Sequence, residues 1–380
     1  MEAVGHLIGW SLVALALGGV VFTLTAAMLA GSPKHAPRPG GGSLPAVTLL
    51  KPLYLAEPGL EQNLRSFFLQ NYAAPLQIVF GVRNYADPAL LIVEKLKRSF
   101  PDADIEVVVE AKLSGTNPKI SNLINMQSRA KHDVLVMSDS DIRVRPDYVR
   151  QLMAAMNEPG VGAVTCLYTG RPVGSVWSTL AAMGIDYQFR PNAIVGIAAG
   201  LAKPCFGSTI ALRRQTLEEI GGFEAFSDVL ADDYELGRAV RSKGYRLAVS
   251  GWTVEHICSQ ESAQDLFEQE VRWAKTISML DRPGYLGSLV TFPFSLSILA
   301  MLFLGVTWTG LAVVAATFFA RLLLALRSRH SLRSYAGPLW LLPLRDVLSF
   351  GVFVASFFGK SVRWRGTRYL TSPDGALAQY

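Results

Sequence analysis

Two pairs of acidic residues have a spacing and a position at which carboxylates can take part in chemistry. The first pair follows an apolar run over residues 134–137. Asp139 and Asp141 in this pair are separated by a single serine. Two carboxylates spaced in this way can approach one hard cation, and Mg²⁺ and Mn²⁺ take oxygen ligands and bridge to substrate phosphates. The pattern predicts a divalent-metal site at Asp139 and Asp141. The alternative is an ordinary turn, since Asp and Ser are common turn residues.

The second acidic pair, Asp232 and Asp233, precedes a helical pattern over residues 235–243. A carboxylate held beside an alcohol can accept its proton, which is typically worth about 10²–10⁴ in rate. Acids at the start of a helix are also favoured, by about 0.3–1 kcal/mol. The pair therefore suits a general base, a helix N-terminus, or both roles together.

A third candidate group, Gln269 with Arg272 and Trp273, lies on an amphipathic helical pattern that leads to an apolar region. The alternative there is anchoring at a membrane interface, where Arg and Trp are frequent. A histidine at position 256 is tempting as another base. Because a single histidine is more often structural, we leave His256 out of the catalytic set.

The elements that must position these groups alternate between strand and helix. Strands are predicted over residues 46–50, 76–82, 105–110 and 134–137, and helices over 59–70, 88–98 and 119–128. This alternation predicts an α/β fold with a mostly parallel sheet and helices on both faces. In such sheets ligands bind beyond the carboxyl ends of the strands. Asp87, in an Ala-Asp-Pro turn after the second strand, joins the candidates for this reason.

The amino-acid composition indicates that part of the chain lies in a membrane. Of the 380 residues, 50% are hydrophobic and only 17% are charged, and the mean hydropathy is +0.28. A soluble globular chain carries about 25% charge, so a disordered protein, a solvated coiled coil and a small disulfide scaffold are excluded. The net charge of +6 is modest, and no basic and aromatic pattern suits nucleic acid. Three widely spaced cysteines fit neither a disulfide framework nor a zinc site, which favours reduced thiols.

Apolar segments lie at both ends of the chain. Residues 7–29 carry no charge and exceed the roughly 20 residues that a spanning helix needs. Residues 283–320 suit two helices that turn near 305–310, and 338–359 is a third stretch interrupted by Arg345 and Asp346. Basic residues mark the cytoplasmic side; here they are Lys34, Arg38, Arg327, Arg329, Arg333, Lys360, Arg363, Arg365 and Arg368.

These charges put the start of the chain outside and the central body in the cytoplasm. Four full spans would leave the basic tail outside, so one segment is predicted to be re-entrant or interfacial. The resulting domain plan has a spanning helix over 1–31 and a Pro- and Gly-rich linker over 32–45. A cytoplasmic catalytic domain follows over 46–282, and a C-terminal membrane region with a basic tail over 283–380.

Four features in this order resemble a membrane-bound inverting glycosyltransferase of the GT-A fold: Asp87, then Asp139-Ser140-Asp141, then Asp232-Asp233, then Gln269 with Arg272-Trp273. The stretches at 49–53, 117–123 and 139–143 resemble the ceramide glucosyltransferase family. Those at 204–209 and 221–231 look most like its bacterial hopanoid-biosynthesis branch. The resemblance covers residues 45–282 and the placing of the membrane segments.

The resemblance implies a role for each matching residue. Asp87 would face the uridine of a UDP-sugar, and Asp139 and Asp141 would hold its diphosphate through Mg²⁺ or Mn²⁺. Asp233 would be the general base, with Asp232 beside it. The remaining implied residues lie around the nucleotide, the donor or the acceptor, and they are Lys51, Lys119, Asn122, Gln269, Arg272 and Trp273.

The implied activity is transfer of a sugar, N-acetylglucosamine in the hopanoid branch, from its UDP-donor to bacteriohopanetetrol in a bacterial inner membrane. Transfer of glucose to ceramide is the first alternative. A processive polysaccharide synthase shares the same motifs but needs a polymer channel, usually from more spans. A lipid transporter or scaffold would usually show more ionisable residues within its spans than Arg321, Arg345 and Asp346.

Overall fold

The computed structural model of the chain describes residues 2–31, 44–332, 336–359, 361–364, 367–371 and 377–379. They form two compact units. The sheet unit comprises the described residues within 34–168, 204–259 and 375–380, and the helix unit comprises those within 1–33, 169–203 and 260–374. Most of the predicted linker at 32–45 lies outside the described residues, as do Lys34, Arg38, Arg333, Lys360 and Arg365.

The described strands, β1 to β11 in chain order, are Val47–Pro52, Leu76–Val82, Asp104–Val109, Val134–Met137, Ile142–Arg143, Val161–Pro172, Ile210–Arg213, Arg246–Cys258, Ser361–Trp364, Thr367–Thr371 and Leu377–Gln379. The described α-helices, α1 to α14, are Glu2–Gly31, Leu60–Phe68, Ala89–Ser99, Pro118–Gln127, Tyr148–Met156, Val176–Gly184, Arg190–Ala198, Arg214–Glu219, Asp232–Ser242, Ala263–Leu280, Arg282–Gly287, Pro293–Leu304, Trp308–Leu332 and Leu342–Ala355. A π-helical turn, Ile185–Phe189, joins α6 to α7.

The sheet unit is built on strands in the order β3-β2-β1-β4-β7-β6-β8-β5. The four strands predicted from the sequence form its parallel half, with Val47 of β1 opposite both Leu76 of β2 and Val134 of β4. The predicted α/β class is confirmed, but the sheet is mixed rather than mostly parallel. The pairs β4–β7, β6–β7 and β5–β8 are antiparallel, and these later strands do not follow the regular strand–helix repeat.

Alternating side chains of β1 explain why helices cover both faces of the sheet. Leu49 packs into one buried cluster together with Leu64 of α2 and Leu152 of α5. Leu50 points to the opposite face and packs with Leu123 of α4 and side chains of α9. Because successive residues of a strand face opposite sides, a strand buried on both faces appears in the sequence as a continuous apolar run. Burial on both faces fixes the position of the sheet, and the polar loops extend from the ends of its strands.

The helix unit packs α1 against α12 and α13. Near its start, Gly9 lies against Leu304 at the end of α12, whereas Gly19 lies against Pro293 at the start of α12. The helices α1 and α12 therefore run in opposite directions. Val13 clusters with Val313 near the start of α13, and the alanines at 26, 27 and 30 cluster with Leu324 further along it. Helix α13 therefore runs in the same direction as α1.

Two described helices are long and apolar enough to cross a membrane, over Glu2–Ala30 and Trp308–Leu332. A third crossing is available if Arg282–Thr291 and Pro293–Leu304, which bend by 74° at their junction, act as one span. The two helices predicted within 283–320 are present, and the break falls at Gly305, as expected.

The C-terminal segments correct one expectation. In the sequence, Arg327, Arg329 and Arg333 are expected to mark a cytoplasmic loop, but this is wrong for Arg327 and Arg329, because α13 continues to Leu332 and Arg329 donates to the Tyr187 hydroxyl at 2.8 Å. The third apolar stretch forms only the 14-residue helix α14, about 21 Å long at 1.5 Å per residue. That is shorter than the roughly 30 Å hydrocarbon core.

Candidate active site

The candidate residues of the sheet unit gather at the carboxyl ends of three adjacent parallel strands. Strand β1 lies between β2 and β4, so the loops that follow these strands meet at one edge, as the sequence predicts. Lys51 lies near the end of β1, Asp87 follows β2, and Asp139 follows β4. The fold therefore brings together residues that are far apart in the chain.

Asp87 ties two of these loops together. Its Oδ2 accepts the backbone N–H of Leu55 at 3.1 Å, and its Oδ1 accepts that of Ala89, at the start of α3, at 2.9 Å. Leu55 has a positive φ of 60°, a strained conformation for a branched residue. The Asp87 carboxylate holds that backbone in place, so it shapes the loop after β1 as well as its own turn.

Lys51 is fully buried beneath the first acidic pair. Its Nζ donates to the Asp139 carbonyl at 2.5 Å and to Ser138 Oγ at 3.3 Å, and it lies 3.9 Å from the centre of the Phe67 ring. Burial lowers the pKa of Lys51 to about 7, against the opposing effect of Asp139, Asp141 and Glu57. Lys51 therefore fixes the backbone of the Asp139–Asp141 turn.

Helix α4 carries the next two candidate residues, Lys119 and Asn122, and Asn117 caps its N-terminus. The Asn117 Oδ1 accepts the backbone N–H groups of Lys119 and Ile120 at 3.0 and 3.2 Å, the usual N-cap arrangement. Its Nδ2 donates to Asp232 Oδ1 at 3.2 Å. One turn further on, Asn122 donates to the Gly81 carbonyl at 2.9 Å, which docks the helix on the end of β2.

Lys119 joins the two acidic pairs. Its Nζ lies 2.8 Å from Asp139 Oδ1 and 3.5 Å from Asp232 Oδ2. Burial alone would lower the pKa of Lys119, but the carboxylates of Asp139 and Asp232 outweigh it and raise the pKa above its ordinary value. This ammonium group therefore stays charged between the two pairs.

Asp233 sits at the start of α9 and is held by two backbone groups. Its Oδ2 accepts the N–H of Gly207 and its Oδ1 that of Tyr234, both at 2.8 Å. Burial and the neighbouring Asp232 raise the pKa of Asp233 to about 6, although Lys119 and the two N–H groups act in the opposite direction. The carboxylate is thus ionised at neutral pH but far more basic than an ordinary one, which suits a general base.

The side chain of Asp141 is about one-third exposed, and its Oδ2 lies 3.6 Å from His256 Nδ1. Its Oδ1 is buried and finds no hydrogen-bond partner among the described residues. The His256 ring lies 5.6 Å from that of Tyr168. Strand β8 carries His256 to this point by pairing with Ile142, just after the acidic pair.

A divalent cation fits this donor set. No group of three or more His, Cys, Asp or Glu side chains that could hold a metal occurs within the described residues. Mg²⁺ and similar ions, however, are commonly held by one or two carboxylates, with substrate phosphates and water as the other ligands. The unpartnered Oδ1 of Asp141 and the partly exposed Asp139 supply that kind of incomplete shell.

Gln269, Arg272 and Trp273 belong to the helix unit, on α10. Gln269 Oε1 accepts a hydrogen bond from Gln260 Nε2 at 2.7 Å. Gln260 lies two residues before Ser262, the N-cap of α10. Between Gln269 and Arg272 lies Glu270, which forms a buried ion pair with Arg345 of α14, both contacts being 2.8 Å. The predicted amphipathic helix is confirmed, and its buried face carries a charge.

Three positions in the sheet unit were not singled out for a role from the sequence. His256 was set aside as structural, yet it lies beside Asp141. Gly207 contributes only a backbone N–H, so no side-chain pattern signals it, and a Cβ there would come within 3.2 Å of Asp233 Oδ2. The contact of Asn117 with Asp232 joins residues 115 positions apart, although the Asn-Pro pair marks the helix start.

Known proteins are similar to this chain in sequence and in fold. The model of glycosyl transferase family 21 matches residues 8–377. Ceramide glucosyltransferase 3 of Caenorhabditis elegans is 28% identical over 248 residues, which cover 63% of this chain and 52% of that protein. An N-acetylglucosaminyltransferase of Bradyrhizobium diazoefficiens is 23% identical over 344 residues, or 80% of this chain and 69% of that protein.

The chain spans about half the length of the nematode relatives that it matches. Among solved structures, a mannosyltransferase from Pyrobaculum calidifontis in complex with GDP-mannose and Mn²⁺ has a similar fold, with a TM-score of 0.54 at 21% identity. The match covers 93% of this chain and 99% of the archaeal one.

Proposed function

The chain belongs to glycosyl transferase family 21, and we propose that it transfers a hexose from a UDP-sugar to the hydroxyl of a membrane lipid with inversion at the anomeric carbon. The observation that carries the proposal is the bridge that Lys119 forms between the two acidic pairs. One pair is suited to the leaving diphosphate and the other to the attacking alcohol, and a single displacement requires both at adjacent positions.

In this mechanism the Asp233 carboxylate accepts the proton of the lipid hydroxyl as its oxygen bonds to the anomeric carbon. The bond from that carbon to the diphosphate oxygen breaks, and UDP leaves with the electron pair. The N–H groups of Gly207 and Tyr234 hold the carboxylate in one orientation. Burial keeps it basic enough to help a poor nucleophile, and Asp232 lies beside it, next to Lys119.

We assign the binding of the nucleotide sugar to Asp87 and to the Asp139–Asp141 pair. Asp87 faces the uridine, while Asn122 and Lys51 support the loops that border it. Asp139 and Asp141 would hold Mg²⁺ or Mn²⁺, which when bound would neutralise charge on the leaving diphosphate. A fold neighbour that binds GDP-mannose with Mn²⁺ supports a nucleotide sugar and a divalent ion.

For the donor sugar we propose N-acetylglucosamine, and for the acceptor a hopanoid polyol such as bacteriohopanetetrol. The match to the rhizobial N-acetylglucosaminyltransferase extends over 80% of this chain, against 63% for the nematode ceramide enzyme. The ceramide enzyme has the higher identity, 28% against 23%. Glucose transfer to ceramide is therefore the second candidate.

We propose a bacterial inner-membrane protein with three crossings: α1, the bent pair ending in α12, and α13. Their alternating directions are consistent with the start of α1 and the end of α13 on opposite sides of the membrane, and we assign the start of α1 to the outside. Arg327 and Arg329, near the end of α13, then face the cytoplasm, as basic residues favour. Because α14 is too short to cross, the basic tail stays on the same side as the catalytic domain proposed for residues 46–282.

The test is a transfer assay on purified protein in lipid, with UDP-N-acetylglucosamine or UDP-glucose offered with bacteriohopanetetrol or ceramide. Labelled N-acetylglucosamine on the hopanoid is the expected product. Glucose on ceramide would keep the mechanism and replace the substrates. Polymer formed without added lipid would favour a processive synthase, and no release of UDP with any pair would reject the proposed activity.

A further inference from the structure

Helix α10 carries the Gln269–Trp273 segment and is joined to α14 by charge. Both oxygens of Glu270 accept from the two terminal nitrogens of Arg345, each at 2.8 Å. The side chains are 12% and 4% exposed. A bidentate pair of this kind fixes orientation as well as distance, so it restrains the rotation of α10 at the centre of the motif.

The space for the Arg345 guanidinium depends on a glycine. A Cβ at Gly184, the last residue of α6, would lie 2.6 Å from Arg345 Nη2 and 2.7 Å from its Cζ. The guanidinium group is therefore packed against Gly184 of α6 while it binds Glu270. A longer residue at Gly184 would push Arg345 away from its partner.

The residue after Arg345 anchors α14 in turn. Asp346 accepts from Arg321 Nη2 at 2.6 Å and from Nε at 2.8 Å, and Arg321 Nη1 donates to the Tyr187 carbonyl at 2.9 Å. Arg321 and Asp346 are both almost fully buried. The two ion pairs form a continuous series from α10 through α14 to α13, and each positive charge in it is matched by a negative one.

A second contact joins the same two segments. Lys275, five residues after Glu270 on α10, donates to the Gly359 carbonyl just beyond α14 at 3.2 Å. In addition, the Tyr285 hydroxyl of α11 lies 2.8 Å from Ser356 Oγ. Helix α14 is thus held by α10 near its start, through Arg345, and the residues just beyond its end are held by α10 and α11.

We propose that Glu270 and Arg345 are positioning residues, which set the orientation of Gln269, Arg272 and Trp273 for sugar transfer. This inference rests on the proposed function and on the role around the donor and acceptor that the family resemblance implies for those three residues. Misplacing a substrate-positioning group by about 1 Å can cost about 10² in rate. The pair connects that group to the C-terminal region, so the C-terminal helix contributes to turnover without touching the substrate.

The experiment is a double-mutant cycle with Glu270→Gln, Arg345→Gln and the double variant, measured as kcat per folded molecule. Each single change is expected to lower kcat about 30- to 100-fold, because the ion pair no longer fixes the orientation of α10 and the Gln269–Trp273 segment is misplaced. The double variant should be no worse than the poorer single one, since the pair acts as a unit. The variant Glu268→Gln makes the same chemical change two residues earlier and should keep the kcat of the wild type.

Hydrogen exchange over residues 263–280 provides the second readout and separates positioning from general stability. Faster exchange there in both single variants, with UDP affinity unchanged, supports the inference. Losses that multiply in the double variant, or a lower melting temperature with kcat per folded molecule unchanged, would overturn it. If neither the wild type nor Glu268→Gln transfers sugar, the proposed function fails, and the positioning role fails with it.

Discussion

Lys119 Nζ lies 2.8 Å from Asp139 Oδ1, a contact between the start of α4 and the turn that follows the next strand, β4. The same nitrogen lies 3.5 Å from Asp232 Oδ2. A single, largely buried cation therefore holds together the carboxylates assigned to the diphosphate and those assigned to the attacking alcohol. This arrangement explains how the carboxylates share a small volume, because the positive charge offsets their mutual repulsion.

Replacing Lys119 by Met should disturb both pairs at once. Lys119 lowers the pKa of Asp233, so its loss should move the acid limb of the pH–rate profile to higher pH. UDP affinity should fall at least tenfold, which corresponds to about 1.4 kcal/mol. Isothermal titration and pH profiles measure the two effects. Lys112→Met, at an exposed site nearby, is the control, and an unshifted acid limb in Lys119→Met would refute the bridging role.

The pH dependence of transfer follows from the pKa of Asp233, which is raised from 3.8 to about 6. A general base acts when deprotonated, so the rate should be constant above about pH 7. It should fall as pH decreases through 6 and approach tenfold per pH unit below it. Initial rates between pH 4.5 and 8 measure this. A profile that stays flat down to pH 4.5 would mean that no carboxylate with this pKa limits the reaction.

Removal of the metal or of its proposed ligand should weaken donor binding. Asp141→Asn leaves the turn in place but removes a charge from the site, so the Mn²⁺-dependent gain in UDP affinity should shrink at least tenfold. Calorimetric titration with UDP, with and without a chelator, measures that gain. Asp133→Asn, where the side chain is 97% exposed, should behave as the wild type. Equal affinities in Asp141→Asn and the wild type across all metal concentrations would contradict the assignment.

Asn117 should show separable effects on stability and on activity. Asn117→Ala removes the helix cap and should cost about 0.5–2 kcal/mol, seen as a lower melting temperature. Asn117→Ser keeps a capping hydroxyl but is too short to reach Asp232, so it should recover stability while activity stays low. Full activity in the Ser variant would show that the 3.2 Å contact with Asp232 does not matter.

The parallel half of the sheet could be predicted from the sequence because each of its strands is a short apolar run between helical patterns. The second and fourth strands have the predicted bounds, Leu76–Val82 and Val134–Met137. The antiparallel half lacks that regularity. Strand β5 has only two residues, and β8 is 13 residues long with many half-buried positions, so neither resembles an isolated apolar strand.

The clustering of the carboxylates also follows from the sequence, since each comes after a strand or begins a helix. What holds them does not, because it depends on backbone groups and on long-range pairs. The Gly207 N–H that binds Asp233 has no side chain to signal it. Arg345 and Asp346 appeared to interrupt a spanning segment, whereas each forms a buried ion pair within the helix unit.

The most direct test of the mechanism is sugar transfer by Asp233→Asn, measured beside its UDP affinity. The variant keeps the shape of the side chain and removes its basicity, so UDP should bind as in the wild type while kcat falls about 10²–10⁴-fold. Asp133→Asn, the same change at a side chain that is 97% exposed, is the matched control and should keep the kcat of the wild type. Normal turnover by Asp233→Asn would contradict the assignment of the base and with it the proposed mechanism of transfer.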